Sequence, residues 1–305
     1  MAISADDYLD ALRDEGEGHS TGAFTLDLER SRATLQHFQL PSAYHYVLPL
    51  VACAVAGGAD SLSIFSDQHR RIVDLDGLAV NLEGGGAVSS YLHAALAAAG
   101  RLAHTDVFGE SRDGQAGFRF RLAGTQLLIS PLPEQQHSVR TRLILTPLHP
   151  WENRLFGAVR WLAGLGPAAD PAAELLKAYS RYSSVPIRLN SRQLNLEWQG
   201  HWKLLGVLNR PPLQLRPQTA LRQVTVCREV PFAGYLGLGV GGGGALVIVD
   251  GLLYPLDLPG ASPEFRAILW HSALQRDLSM LRLVENQELE RFRQTVVEIL
   301  TGLIS

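Results

Sequence analysis

The stretch Tyr46-Val-Leu-Pro-Leu-Val-Ala-Cys-Ala-Val-Ala-Gly-Gly-Ala59 decides the fold of this chain, because it predicts a buried helix around which the other elements pack. A serine side chain can accept a hydrogen bond from the first turn of a helix, so we expect the helix to begin after Ser42. Gly57-Gly58 is expected to end it. Pro49 lies inside the helix, where a proline costs about 3 kcal/mol, so the pattern predicts a kink or a restart there.

Alternating and helical hydrophobic patterns predict further elements on both sides of this stretch. The predicted strands are residues 61–65, 71–75, 118–122, 125–130, 142–146, 224–228, 233–238, 245–249 and 252–256, with one more that ends at Leu189. The predicted helices are residues 26–38, 42–56, 89–99, 151–165, 171–182, 264–272 and 285–303. The last of these has one apolar stripe formed by Leu289, Phe292, Val296, Ile299 and Leu300.

Length and composition limit the classes of protein that fit. The chain has 305 residues, 46% of them hydrophobic, which is enough for about two domains. Its formal charge of −3 comes without long blocks of one sign, so we expect no nucleic-acid partner. The N-terminus resembles no secretory signal and no apolar run is long enough for a membrane helix, so we expect a cytoplasmic protein without a membrane partner. Cys53 and Cys227 lack CxxC spacing, so neither a disulfide framework nor a zinc site is indicated.

A change of composition at Arg210-Pro-Pro212 indicates the entry to a second domain. We therefore predict an N-terminal extension over residues 1–22, a first domain over 23–200 and a second over 201–305.

The opening stretch resembles the first signature of the GHKL superfamily of gyrase, heat-shock chaperone, histidine kinase and mismatch-repair ATPases. That signature reads Glu-Leu-hydrophobic-x-Asn-Ala-x-Asp-Ala, and Leu50, Val51 and Ala54 keep its apolar pattern. Residues 175–189 resemble the end of the nucleotide-binding domain of heat-shock protein 90 chaperones, with matches at Ser180 and at Pro186-Ile187. Residues 259–300 resemble part of the middle domain of the same chaperones.

The resemblance implies an ATP site whose chemistry is lost. In the family the Glu positions the attacking water and the Asn holds Mg²⁺, but Pro49 and Cys53 occupy these positions here. An arginine of the family's middle domain reaches the γ-phosphate, and Met280 stands at its position. Losing a general base alone typically removes a factor of about 10² to 10⁴ in rate, so we expect no ATP hydrolysis.

Several glycine-rich segments were considered as phosphate-binding loops. Residues 84–86 and 109–117 are candidates for the family's lid, whose backbone N–H groups cradle phosphates. Residues 237–242 satisfy G-x-G-x-x-G but lead into a strand pattern instead of a helix, so they predict a flexible hairpin tip. Asp76-Gly77 is typical of a turn.

The resemblance implies an α/β (α+β) fold, in which a two-layer GHKL-type sandwich with a mixed sheet is followed by a smaller α/β middle-type domain. The implied function is a non-catalytic scaffold or adaptor, similar to heat-shock protein 90, that binds protein partners without a cofactor. Trp202 and Trp270 are the candidate partner contacts, since exposed aromatic residues often anchor interfaces, although packing in the core is the other interpretation of each.

Two alternatives stay open at this point. One is a divergent ATPase or chaperone that binds ATP and Mg²⁺ through relocated ligands, namely Asp74, Asp76, Gly77 and Arg282. The other is a plain α/β domain that binds a small ligand, in which case the resemblance is accidental.

Overall fold

The computed structural model of the protein describes residues 42–67, 70–102, 105–114, 116–123, 126–133, 138–147, 170–194, 201–213, 219–220, 222–226, 228–239, 244–277 and 279–304. Across these ranges the protein is α+β, with two mixed β-sheets and four α-helices. This architecture confirms the predicted α/β (α+β) class with a mixed sheet. The GHKL-type fold itself stays a prediction. The helices predicted at residues 26–38 and 151–165 lie outside the described residues.

The first helix begins after Ser42, as predicted, and its geometry accommodates Pro49. The Ser42 hydroxyl accepts a hydrogen bond from the Tyr44 N–H at 3.2 Å and opens a short 3-10 helix, Ala43–Tyr46. The chain then restarts as α1 (Val47–Ala56) and ends at Gly57. Pro49 therefore lies in the first turn of α1, where backbone N–H groups have no partner within the helix. The predicted restart is confirmed, and it spares the helix the lost hydrogen bond.

Eight strands form the first sheet. They are β1 (Ser61–Ser66), β2 (Arg71–Asp76), β3 (Thr105–Arg112), β4 (Gly117–Ala123), β5 (Gln126–Pro131), β6 (Arg140–Pro147), β7 (Ile187–Leu189) and β8 (Arg192–Gln193). Their order is β5-β4-β3-β6-β2-β1-β7-β8, and every neighbouring pair is antiparallel except β1 with β7. The strands predicted at 71–75 and 142–146 correspond to β2 and β6, which are neighbours in this mixed sheet.

One face of this sheet packs against α1, and α2 (Ala87–Ala99) and α3 (Pro171–Tyr179) pack in turn against α1. Side chains alternate along β2, so Val73 and Leu75 are fully buried on the helical side while Asp74 and Asp76 point to the other face. The two faces of the first sheet therefore differ in chemistry, with an apolar inner face and an outer face rich in charged residues.

The second sheet has seven strands. They are β9 (His201–Leu208), β10 (Thr219–Ala220), β11 (Gln223–Val226), β12 (Ala233–Gly239), β13 (Gly244–Val249), β14 (Leu252–Leu256) and β15 (Phe265–Trp270). The main path is β10-β9-β12-β15-β13-β14, and β11 also pairs with β9. Helix α4 (Gln287–Ile304) packs against this sheet. All five residues of its predicted apolar stripe are buried, which confirms that prediction.

The two sheets share one cluster of buried side chains. It includes Leu50 of α1 and Val73 of β2 together with Leu236 of β12 and Phe292 of α4. The predicted division into residues 1–22, 23–200 and 201–305 stays a prediction, although the change of sheet falls between β8 and β9.

The segment predicted as a helix at residues 264–272 is instead strand β15, so that prediction was wrong. β15 lies in the middle of the second sheet, antiparallel to β12 and parallel to β13. Pairing on both sides satisfies its backbone polar groups, and its Ala-Ile-Leu centre is buried. A short apolar run fits either a buried strand or a buried helix, and long-range pairing decides between them.

Two predictions about glycine-rich segments were also wrong. Gly109 of the proposed 109–117 lid lies in β3, where a Cβ would stand 2.2 Å from the Arg142 carbonyl oxygen and 2.5 Å from the Phe120 ring. This glycine permits close packing between strands. The strands on either side of the hairpin tip predicted at residues 237–242 do not pair with each other, because β15 separates β12 from β13, and residues 240–242 themselves lie outside the described residues.

Candidate functional site

The positions expected to carry a degenerate ATP site are part of the core. Pro49 and Cys53 of α1 are buried, and Leu75 of the neighbouring β2 has no exposed surface. The Cys53 thiol lies 3.5 Å from the Val88 carbonyl oxygen, and burial raises its pKa to about 12, which keeps the thiol uncharged at neutral pH. Cys53 and Leu75 belong to the same cluster of buried side chains.

Met280 is also buried, and its backbone takes part in the fold of the loop that precedes α4. It has a left-handed conformation with φ of 57°, and its carbonyl oxygen accepts a hydrogen bond from the Tyr254 hydroxyl at 2.9 Å. The Asp277 carboxylate accepts hydrogen bonds from the backbone N–H groups of Leu281 and Arg282. The loop is thus fixed by its own hydrogen bonds.

The structure does not bring together the four residues proposed as relocated nucleotide ligands. Asp74 accepts two hydrogen bonds from the Arg142 guanidinium, at 2.6 and 2.8 Å, on the outer face of the first sheet. Asp76 accepts one from the Ser61 hydroxyl at 2.8 Å. Both carboxylates lie on the face away from α1 and already have partners. No contact among the described residues joins the exposed Arg282 to either of them.

The local backbone conformation explains why position 77 is a glycine. Its φ of 75° suits glycine, and a Cβ at this position would stand 2.3 Å from the Asp60 carboxylate. Its N–H donates to the Val139 carbonyl oxygen at 2.9 Å. Gly77 therefore turns the chain after β2, as the Asp-Gly pair predicted. The other lid candidate, residues 84–86, directly precedes α2, and no contact among the described residues indicates that it binds a ligand.

The two tryptophans proposed as partner contacts have different environments. Trp202 is only 1% exposed and packs inside a second apolar cluster with Tyr235 and Ile268, so its proposed role on the surface was wrong. Trp270 is half-buried at the end of β15, where its indole N–H donates to the Tyr182 carbonyl oxygen at 3.3 Å. Its ring meets Tyr235 edge to face at 6.2 Å between centroids.

Trp270 lines an open cleft of about 500 Å³, which we call the Trp270 cleft. It lies where the ends of β13 and β15 and the start of β12 face α1 and the loop before β7. The lining residues are Val55, Ser184, Asn209, Pro212, Val230, Pro231, Phe232, Ala233, Ile248, Asp250, Gly251, Trp270, His271 and Ser272. Prolines, aromatic rings and aliphatic side chains thus predominate, with a few polar groups.

Asp250 is the one carboxylate in the described lining of the Trp270 cleft, and its charge is already compensated. The Arg276 guanidinium donates to it at 2.6 Å, and the Tyr91 hydroxyl of α2 donates at 2.7 Å. Arg276 also donates to the Tyr91 hydroxyl and lies 5.0 Å from the centre of its ring. Burial and the hydrogen bond to Asp250 raise the pKa of Tyr91 to about 12, so it stays a neutral donor.

The imidazole of His271 is held neutral in the same cleft. It stacks on Phe232 at 5.9 Å and meets Phe292 edge to face at 5.1 Å. Its Nδ1 accepts a hydrogen bond from the Ala273 N–H at 3.2 Å, which requires an unprotonated nitrogen there. Burial lowers its pKa, and only the Glu288 carboxylate opposes this effect. The ring is fixed by packing on both sides.

The Trp270 cleft offers mainly apolar contacts. The described lining of the Trp270 cleft holds no lysine or arginine, and the described residues contain no group of three or more side chains suited to a metal ion. The Nδ1 atom of His271 accepts from the backbone N–H of Ala273, and none of the described hydrogen bonds of His271 activates a serine. The sequence indicated Trp270 as a candidate partner contact, but nothing in it indicated that Trp270 and Asp250 line the same cleft.

Two further findings concern the whole chain. None of the described helices is long and apolar enough to cross a membrane. No protein-family model matches the chain, and no curated protein is significantly similar to it.

Proposed function

We propose that this protein is a non-catalytic scaffold or adaptor, similar to heat-shock protein 90 with a degenerate ATP site, and that it binds an apolar segment of a protein partner in the Trp270 cleft. The observation that carries the proposal is the chemistry of the lining. It combines Trp270 and Phe232 with prolines, while the one carboxylate is neutralised by Arg276. Aromatic anchors beside satisfied polar groups are typical of protein-binding surfaces.

The same lining argues against a nucleotide. A nucleoside triphosphate is a polyanion, and proteins bind it with cationic side chains or with backbone N–H groups at a helix N-terminus. The described lining contributes a carboxylate and no cationic side chain. Beside α1, where the resemblance places ATP, Cys53 and Leu75 are completely buried. Both observations favour the adaptor over the divergent ATPase.

A selection of peptides tests the proposal. Randomised peptides displayed on phage would be selected against the wild-type protein and then measured for binding to Ser184→Arg. Ser184 is exposed and lines the cleft, so an arginine there obstructs the cleft without removing a core contact. Ser138→Arg is the matched control, since Ser138 is exposed just before β6 and does not line the cleft. We expect peptides rich in apolar residues that bind wild type and Ser138→Arg equally and Ser184→Arg at least tenfold more weakly.

A titration with a fluorescent ATP analogue, with and without Mg²⁺, tests the alternative. The adaptor proposal expects no saturable binding in either condition. Two results together would replace the adaptor by a nucleotide-dependent chaperone. The first is Mg²⁺-dependent binding of the analogue at micromolar concentration that disappears in Asp74→Asn or Asp76→Asn. The second is a selection that yields no binding peptides.

A further inference from the structure

Strand β5 is the outermost of the described strands at one end of the first sheet. It pairs with β4 on one side, and its other edge has no partner among the described strands. Its residues up to Ser130 are Gln-Leu-Leu-Ile-Ser, with no charge. Leu128 is 55% exposed on one face of the sheet and Ile129 is 40% exposed on the other. Within the described part of the chain, the edge therefore presents backbone groups without a strand partner, next to two exposed apolar side chains.

Proteins usually protect such an edge with charged residues, a bulge or a very short strand. The pairing of β4 with β5 is regular over six residue pairs, and Pro131 stands only at its end. The segment that can pair is thus residues 126–130. An unprotected apolar edge of this kind pairs with another strand, because each new backbone hydrogen bond is accompanied by burial of apolar side chains.

We propose that the edge of β5 binds β5 of a second copy of this chain, antiparallel and across a twofold axis at Leu128. In that register Leu128 faces Leu128 of the partner copy on the outer side of the sheet. Gln126 faces Ser130 on the same outer side, and on the inner side Leu127 faces Ile129 in both directions. Apolar residues thus oppose apolar residues, and polar residues oppose polar ones, on both faces. Moving the twofold axis by one residue, from position 128 to 129, destroys this match, since Leu128 would then face Ser130.

The absence of charge on β5 also favours a second copy of this chain as the partner over a charged peptide. The strand carries no charge, so two copies meet without repulsion and a charged peptide gains nothing from the strand itself. On the neighbouring β4, Arg121 is already paired with Asp106 at 2.9 Å. Interfaces that bury less than about 1,200 Å² of surface are usually transient. Each copy contributes only five residues, so the interface falls below this area, and the dimer forms reversibly as the protein concentration rises. This proposal is independent of the Trp270 cleft, because no residue of β5 lines that cleft.

Sedimentation velocity over a concentration series, from low micromolar to several hundred micromolar, tests the proposal. We expect the wild-type protein to shift from monomer to dimer. Leu128→Lys places two like charges opposite each other at the axis, and Ile129→Lys introduces charge on the inner face. Each should weaken dimerisation at least tenfold. Phe65→Lys is the matched control, because Phe65 is 50% exposed on β1 in the interior of the same sheet. It should dimerise like the wild type.

Cysteine cross-linking tests the register. Under mild oxidation Leu128→Cys should form a covalent dimer above the background of the wild-type protein. Ser130→Cys, on the same face, should not, because the two copies of residue 130 are four residues out of register. Urea unfolding confirms that each variant is folded. The proposal is overturned if the wild-type protein stays monomeric over the whole concentration series. It is equally overturned if Leu128→Lys dimerises as well as Phe65→Lys, or if Ser130→Cys cross-links more than Leu128→Cys.

Discussion

The ion pair between Arg276 and Asp250 is the most deeply buried one among the described residues, with side chains 8% and 15% exposed. Burial removes both charges from water, so the pair contributes to stability only through close geometry and further hydrogen bonds. Tyr91 supplies them, since it donates to Asp250 and accepts from Arg276. Removing one partner leaves the other as an uncompensated charge.

We therefore predict that Arg276→Met lowers the free energy of unfolding by about 3–5 kcal/mol, because the Asp250 carboxylate would stay buried without its cation. Urea denaturation measures this change. Lys203→Met is the control, since the Lys203–Glu264 pair is exposed and such pairs contribute about 1 kcal/mol or less. Equal effects of the two substitutions would show that burial of the Arg276 pair is unimportant.

His271 gives the stability a dependence on pH. Because burial lowers its pKa, the folded protein takes up the proton at a lower pH than the unfolded chain, whose imidazole titrates near pH 6.5. Below that pH the unfolded state binds more protons, so stability falls as the pH falls. We predict that His271→Gln loses less stability than the wild type between about pH 7.5 and pH 5.5, by up to about 1.4 kcal/mol per pH unit. Urea unfolding at several pH values measures both slopes, and parallel slopes would contradict the assignment.

At the scale of elements, local signals in the sequence predicted most of the structure. The N-cap at Ser42, the alternation in β2 and the apolar stripe of α4 depend on neighbours within a few residues, and all three were predicted correctly. Strand β3 was missed and β15 was predicted as a helix. Each is an inner strand of its sheet, and its partners lie far away along the chain, for example β6 for β3. Pairing of this kind leaves little local pattern.

The Trp270 cleft could be predicted only in fragments. The sequence indicates a turn at Asp250-Gly251 and an aromatic residue at Trp270. What joins them is the position of the β13–β14 turn against α1 and α2, which is tertiary packing. The sequence also contains no indication that the charge of Asp250 is compensated, because Tyr91 is 159 residues away from it in the sequence.

The turn between β13 and β14 offers a direct test of that packing. Gly251 has φ of 79°, and a Cβ there would stand 2.6 Å from Val55 of α1. Gly260 has nearly the same conformation, φ of 76°, with nothing within 4 Å of the added Cβ. We predict that Gly260→Ala destabilises by about 1 kcal/mol through its backbone alone. Gly251→Ala should destabilise by about 1–3 kcal/mol more, because overpacking against α1 is added to the strain. Urea denaturation compares the two, and equal losses would mean that the turn does not pack tightly on α1.

At the scale of the whole molecule, the shared core implies that the two sheets unfold together. Buried side chains of α1 and β2 belong to the same cluster as those of β12 and α4. Tyr91 of α2 is hydrogen-bonded to Asp250 in the β13–β14 turn and to Arg276 in the loop after β15. These hydrogen bonds connect a helix of the first part of the chain with the second sheet. A core shared in this way is expected to give one cooperative unit, even though the chain builds two separate sheets.

Hydrogen exchange tests this cooperativity through a substitution far from the first sheet. Phe292 of α4 is 4% exposed and packs on Phe232 and His271, so Phe292→Ala should cost about 3–5 kcal/mol. If the sheets unfold together, the amides of β6 in the first sheet lose as much protection as those of β15 in the second. The reciprocal variant Leu92→Ala, in the fully buried centre of α2, should likewise reduce protection in β15 by as much as in β6. Loss of protection confined to the substituted sheet in either variant would establish two independent units, since a change in one core then leaves the other unaffected.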